Sequence, residues 1–115
     1  MASGLISASR ARYNEMVTSV ADLIQCLESW APACLAMAGD SIGLQVGSEK
    51  QAVTSIGIAL DVDRTSVAAA RKRNVQLIIS HHPLIFKPLS TIHYEEPRQA
   101  VLAQVIRQKM SVVVG

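Results

Sequence analysis

The sequence predicts an α/β fold, a mixed sheet with βαβ units in one small domain. The apolar run VTSIGIALD (53–61), the alanine-rich run SVAAARKR (66–73) and the apolar run VQLIIS (75–80) follow one another directly. This order is typical of strand, helix and strand. SVVVG (111–115) then reads as a further strand. Strands joined through helices run parallel, so we expect them to be buried on both faces.

The composition supports a folded domain and argues against several partners. Of the 115 residues, 50% are hydrophobic and 3% are aromatic, so aliphatic side chains must build the core. The net charge is only +2, and the basic run at 71–73 is expected to be a solvated helix end. With few aromatic rings to stack on bases, nucleic acid is not an expected partner. No apolar run approaches transmembrane length, so no membrane partner is expected either.

The first predicted element is an amphipathic helix, SVADLIQCLESW (19–30). Ser19 and Asp22 resemble a capping box. Cys26 is expected to be a small buried hydrophobe, and two cysteines are too few for a disulfide scaffold. The apolar positions with helical spacing are Val20, Leu23, Ile24, Leu27 and Trp30. Residues 1–16, which precede this helix, are interpreted as a leader or a misassigned start; a transit peptide stays open, and the cytoplasm is the default localisation.

The remaining predicted elements are strands and helices in alternation. A short strand is predicted at 42–46, and Asp63 offers a capping oxygen for the helix that follows the 53–61 strand. Glu95, Glu96 and Pro97 suit the start of another helix. Its buried stripe is expected to be Val101, Leu102, Val105 and Ile106. Because SVVVG has no following helix to cover it, the chain is expected to be truncated at its C-terminus, as the N-terminal part of something longer.

The chemically distinctive residues are the two adjacent histidines in LIISHHPLIF (77–86). Neighbouring strand residues point to opposite faces, but once the chain leaves the strand both rings can face one cavity. In open α/β sheets ligands gather at this carboxyl edge. His81 and His82 are therefore candidate metal ligands, one to each metal of a pair. The alternative is two unrelated side chains at a loop entrance, because a metal needs three or four ligands.

Other polar residues near this edge have simpler interpretations. Asp61 either orders its loop or hydrogen-bonds an imidazole, and Asp63 caps a helix. His93 is expected to be a surface loop residue, and Asp40 either caps a turn or approaches the site. The sequence has no Walker loop, no dinucleotide fingerprint and no GxSxG elbow, so no catalytic nucleophile is assigned.

Four segments together resemble the opening of the Nif-three-like family, whose members are often labelled GTP cyclohydrolase 1 type 2 homologues. They are LESWAP, GDSIGLQVGS, IGIALDVD and LIISHHPLIFKPL. The resemblance covers residues 17–115, which would form the N-terminal part of such a domain. Gly39-Asp40-Ser41 departs from the family's usual Trp-Asp-Asn.

The resemblance implies a site for two divalent metal ions in a mixed α/β fold, assembled as a homohexameric ring. His81 and His82 match the family's adjacent histidine ligands, and the metals would be Zn, Fe, Mn or Ni. The family's other ligands are an aspartate, a histidine and a glutamate beyond the last residue of this chain. The implied function is a metal-dependent hydrolase of GTP cyclohydrolase type, with a nucleotide as substrate. The alternative is a non-catalytic metal-binding regulatory or interaction protein.

Overall fold

The computed structural model describes residues 5–7, 17–30 and 43–115. Within them the chain forms a mixed sheet with helices packed on it, as the sequence predicts. The strands are β1 (Leu5–Ser7), β2 (Gly43–Val46), β3 (Ile56–Ala59), β4 (Leu77–Ser80) and β5 (Ser111–Val114). The helices are α1 (Val20–Trp30), α2 (Arg64–Lys72) and α3 (Pro97–Arg107).

The sheet has the strand order β1-β3-β4-β5-β2. The three central strands β3, β4 and β5 are parallel, with Ile78 opposite both Gly57 and Val112. The outer strands β1 and β2 are antiparallel to their neighbours β3 and β5. The parallel centre confirms the predicted βαβ units and places the ends of β3, β4 and β5 at one common edge.

The helix starts follow the predicted capping chemistry. The Ser19 amide donates to the Asp22 carboxylate at 2.9 Å, and the Asp22 amide donates to Ser19 Oγ at 3.2 Å. Asp63 caps α2 in the same reciprocal way with Ser66, and Glu96 caps α3 ahead of Pro97. These side chains satisfy amide groups that have no partner inside the helix.

The two faces of the sheet carry different apolar clusters. On one face α1 packs with Val20 against Val53, Leu77 and Val113. On the other face α2 and α3 pack against the sheet in a larger cluster. Its buried members include Val67, Ala70, Val101, Leu102, Val105, Ile78 and Val112.

Three expectations about burial are wrong. Ile58 in β3 is half exposed, because the cluster beneath α1 includes Ile56 of the same strand and does not reach Ile58. Ile106 is also exposed, since it is turned about 100° from Val105 on the helix and lies beside the packed stripe. Cys26 is exposed rather than buried, because it is turned about 200° from Ile24, away from the side of α1 that packs on the sheet.

Strand β1 was not predicted from the sequence. Residues 5–7 pair with β3 and extend the sheet beyond the predicted strands. Among the described helices, none is long and apolar enough to cross a membrane.

Candidate metal centre

His81 and His82 lie directly after β4, at the carboxyl edge of the parallel strands. The His81 amide donates to the Ala59 carbonyl at 3.1 Å, and the His82 amide donates to the Leu60 carbonyl at 3.0 Å. Buried Ser80 adds a hydrogen bond from its Oγ to the His82 carbonyl at 2.7 Å. The backbone of the pair is therefore fixed against the end of β3.

The two imidazole rings lie side by side and are exposed. Their centroids are 4.9 Å apart, and the ring planes are inclined by 51°. Opposite faces of a strand would separate two neighbouring side chains, so this proximity confirms that the chain has left strand geometry. The two rings therefore lie next to each other at the sheet edge.

Asp61 orients one of the rings. Its Oδ1 lies 2.8 Å from His82 Nδ1, and both side chains are about half exposed, 50% and 49% respectively. An ionised carboxylate has only acceptor oxygens, so the ring nitrogen that faces it carries the proton. In neutral imidazole the lone pair is then on Nε2. The open alternative for Asp61 is thereby settled in favour of the hydrogen bond to an imidazole.

The other candidate residues do not join the pair. Asp63 caps α2, as expected, and its Oδ1 accepts from the Ser66 amide at 2.8 Å. His93 lies exposed in the loop before α3, also as expected. Asp40 lies outside the described residues. Within the described part of the chain, no three His, Cys, Asp or Glu side chains cluster closely enough to hold a metal ion.

Sequence reasoning missed Gln45 on β2. Its side-chain amide reaches the segment that follows the histidines and hydrogen-bonds the backbone of Leu84 and Ile85. The available signal was a lone amide side chain between Leu44 and Val46 in a strand with little other polar character. Nothing in the sequence alone indicated which segment it would contact.

A cleft of about 450 Å³ opens beside Asp61. Asp61, Asp63 and Pro83 line it on the histidine side, and Arg64 and Arg98 contribute cations. The Arg98 guanidinium carbon lies 3.9 Å from the centroid of the Phe86 ring, in a cation–π contact. The cleft therefore brings two carboxylates and two guanidinium groups together beside the residue that bonds His82.

The donor set fits half of a metal centre. Two imidazoles are good ligands for divalent transition metals, and a carboxylate on the far nitrogen of a ligating histidine is the usual support for one. Two protein ligands fall short of the three or four that metal sites use. The described residues thus offer two candidate ligands, and Asp61 orients the ring of one of them.

The fold and this edge define a class: α/β proteins with a preorganised histidine pair at the carboxyl ends of parallel strands. The chain belongs to the family described as Duf34/NIF3 (NGG1p interacting factor 3), which matches residues 18–114. This bears out the resemblance seen in the four sequence segments. The family's match covers the histidine pair, Asp61 and Gln45 together.

Two curated relatives illustrate the likeness. A "GTP cyclohydrolase 1 type 2 homolog" of Lactococcus lactis is 34% identical over 93 residues, which cover 81% of this chain and 36% of that protein. The Bacillus subtilis protein of the same description is 32% identical over 90 residues, covering 78% of this chain and 24% of that protein. The chain thus spans about a quarter to a third of the length of these relatives.

Solved structures agree on the fold. A Bacillus cereus protein described as related to NIF3 superposes with a TM-score of 0.80 at 35% identity, covering 87% of this chain and 28% of that one. Reduced HcgD from Methanocaldococcus jannaschii gives a TM-score of 0.76 at 27% identity, covering 89% of this chain and 41% of that one.

Proposed function

We propose that the protein binds two divalent metal ions, one through His81 and one through His82, and is a metal-dependent hydrolase of GTP cyclohydrolase type. The observation that carries the proposal is the 2.8 Å contact between Asp61 Oδ1 and His82 Nδ1 beside the second imidazole. That contact leaves the Nε2 lone pair of His82 for a metal. The descriptions of the relatives support the reaction type.

Two metals near each other suit hydrolysis on general grounds. A bound metal ion makes water a nucleophile at neutral pH, and a second one stabilises charge that develops on the bond under attack. In this arrangement the histidines are ligands and not the general base. The remaining ligands would come from outside the described residues.

The cleft beside Asp61 supports an anionic substrate such as a nucleotide. Arg98 is held by Phe86 at the wall of the cleft, where a guanidinium can bind phosphate oxygens. A substrate in this cleft would extend from the cations to the histidine edge. The base or ring of the substrate would then lie near His81 and His82, the residues that would hold the metals.

A non-catalytic role is the second candidate. The family description itself, NGG1p interacting factor 3, names an interaction and no reaction. In that case the metals would stabilise a surface used for binding, without turnover. We further propose that the protein acts in the cytoplasm. We also propose that it forms a homo-oligomeric ring, and light scattering of the metal-loaded protein would measure the number of chains in it.

Metal analysis and a GTP assay separate the two candidates. The hydrolase should hold about two metal ions per chain, lose GTP turnover in chelator and regain it with Zn²⁺, Mn²⁺, Fe²⁺ or Ni²⁺. Bound metal without any GTP turnover would favour the interaction role. GTP turnover by metal-stripped protein in excess chelator would contradict the metal mechanism.

A matched pair of arginine variants tests the cleft. Arg98→Ala should raise KM for GTP by about tenfold, because a charged hydrogen bond to phosphate is lost, with kcat little changed. Arg107→Ala, an exposed arginine at the end of the same helix, should leave both constants unchanged. Equal effects of the two variants would place the substrate elsewhere.

A further inference from the structure

The side chain of Gln45 joins an edge strand to the segment that follows the histidine pair. Its Nε2 donates to the Ile85 carbonyl at 2.8 Å. Its Oε1 accepts from the amides of Leu84 at 2.9 Å and Ile85 at 3.0 Å. One amide group thus satisfies three backbone groups about forty residues away, and both lone pairs of its oxygen are in use.

A β-bulge determines the direction of the Gln45 side chain. Leu44 pairs with Val113 and Val46 pairs with Val112, so Gln45 is an extra residue without an opposite partner. In a regular strand Leu44 and Val46 would share a face. Here Leu44 packs in the cluster beneath α1, whereas Val46 packs in the cluster on the other face. Bulges redirect side chains in this way and occur beside functional sites.

The bulge turns Val46 toward the same face of the sheet on which Leu84 packs. Leu84 is 6% exposed and belongs to the same cluster that Val46 packs against. Strand order places β5 between β4 and β2, so the segment after β4 must pass β5 to reach Gln45. Gln45 therefore anchors the far end of that crossing, while the end of β4 anchors the near end.

Only Pro83 separates the histidines from this anchor. Its ring fixes φ near −65° and restricts His82 as the preceding residue. On the other side, the His81 and His82 amides are bonded to Ala59 and Leu60. The pair is consequently held on both sides, and little torsional freedom remains between the two attachments.

We propose that Gln45 is a positioning residue for the histidine pair: by holding the Leu84–Ile85 backbone, it fixes the orientation in which His81 and His82 present their rings to metal. The inference rests on the proposed metal-binding function for its purpose. Metal ligands must be held within about 0.5 Å of the productive geometry, and that precision comes from the residues around them.

Gln76 supplies a matched control. It is half-buried like Gln45, and its Oε1 also accepts from two consecutive amides, Thr54 at 3.0 Å and Ser55 at 2.9 Å. It lies at the amino end of β4, at the opposite edge from the histidines. Gln45→Met and Gln76→Met each keep side-chain length and remove the hydrogen bonds, so they should lose similar stability in urea unfolding.

Two measurements on the protein and both variants decide the proposal. In Zn²⁺ titration of metal-stripped protein, Gln45→Met should weaken binding by about tenfold, within the range known for residues that support metal ligands. Amide hydrogen exchange at His81 and His82 should also become faster, because local opening no longer has to break the anchor. Gln76→Met should change neither quantity by more than about twofold.

Equal weakening of Zn²⁺ binding in the two variants would overturn the positioning role, as would unchanged exchange at His81 and His82 in Gln45→Met. If the parent protein binds no Zn²⁺, the proposed function fails, and the exchange comparison alone still decides whether Gln45 holds the pair. Should Gln45→Met fail to fold, Gln45→Glu replaces the donor to Ile85 by a carboxylate oxygen that repels the Ile85 carbonyl, so the anchor should loosen and exchange at His81 and His82 should become faster. A folded Gln45→Glu with parental exchange at His81 and His82 would then overturn the proposal.

Discussion

The polar side chains at the two ends of the parallel strands differ in burial and in hydrogen bonding. At the amino edge, Ser111 is fully buried and its Oγ bonds Gln51 and accepts from the Ser48 amide at 3.3 Å. Gln76 bonds the backbone ahead of β3 at the same edge. At the carboxyl edge, His81 and His82 are exposed, and their rings lie side by side.

The two edges therefore differ in whether their polar side chains are buried in hydrogen bonds within the protein or exposed to solvent. Buried polar groups must be hydrogen-bonded, and the described polar groups at the amino edge, Ser111 and Gln76 among them, bond other groups of the protein. At the carboxyl edge Asp61 bonds Nδ1 of His82, which leaves the lone pair of the neutral ring on Nε2. Changes at the amino edge should therefore alter stability and spare metal binding, and changes to His81, His82 or Asp61 should do the reverse.

The largest expected effect is the loss of metal from His81→Ala or His82→Ala. Either substitution should reduce bound metal to about one ion or fewer per chain, because each ring completes a separate coordination shell. The fold should remain, since both side chains are exposed. Elemental analysis and circular dichroism measure the two outcomes. His93→Ala is the matched control, and parental metal content in both test variants would contradict the assignment.

The second prediction concerns the amino edge. Gly47 has φ +113°, and a Cβ there would lie 2.0 Å from Ser111 Oγ and 2.8 Å from the Ser111 Cα. Gly47→Ala should lower the free energy of unfolding by about 2–5 kcal/mol, combining backbone strain with overlap. Urea unfolding measures it.

Gly43 provides the control for this prediction. It has a similar φ of +103°, but a Cβ there meets no heavy atom of the described chain within 4 Å. Gly43→Ala should therefore cost only the backbone strain, about 1–3 kcal/mol. An equal cost for the two substitutions would mean that contact with Ser111 contributes nothing.

The third prediction returns to the carboxyl edge. Asp61→Ala should weaken Zn²⁺ binding by about 10–100-fold, because His82 loses the group that orients its ring. The free energy of unfolding should change by less than about 1 kcal/mol, since the pair is half exposed and screened. Calorimetric titration and urea unfolding give the two numbers.

Asp63→Ala tests whether the effect belongs to Asp61 alone. Loss of the α2 cap should cost about 1 kcal/mol of stability. Zn²⁺ affinity should stay at the parental value, because Asp63 Oδ1 bonds the Ser66 amide. If both aspartate variants weaken Zn²⁺ binding equally, the general charge of the edge and not the oriented ring is responsible.

Much of the fold could be predicted from local pattern. The runs at 53–61 and 75–80 have strand composition, and Ser19, Asp63 and Glu96 cap helices where their chemistry indicates. Strand β1 could not be predicted, since three residues carry no periodicity and their pairing with β3 is a long-range contact. The bulge at Gln45 is also a product of pairing with β5, which no local signal specifies.

The candidate site was predictable in part for the same reason. Two adjacent histidines after a parallel strand must lie at the carboxyl edge, so topology brings Asp61 and His82 to neighbouring strand ends. The contact between Gln45 and Ile85 depends on a crossing of β5 that sequence spacing does not reveal. Local chemistry thus predicts which side chains are candidate ligands, and tertiary pairing determines which residues hold them in place.

The smallest expected effect tests the outer side of α1, where expectation and structure disagree. Because Cys26 is exposed, Cys26→Ser should change the free energy of unfolding by no more than about 0.5 kcal/mol. Had the thiol been packed in the core, the buried hydroxyl would cost about 1–3 kcal/mol. Leu27→Ser, one residue further on the packed side, is the matched variant and should be clearly destabilising. A large loss for Cys26→Ser in urea unfolding would mean that α1 turns its other side to the protein.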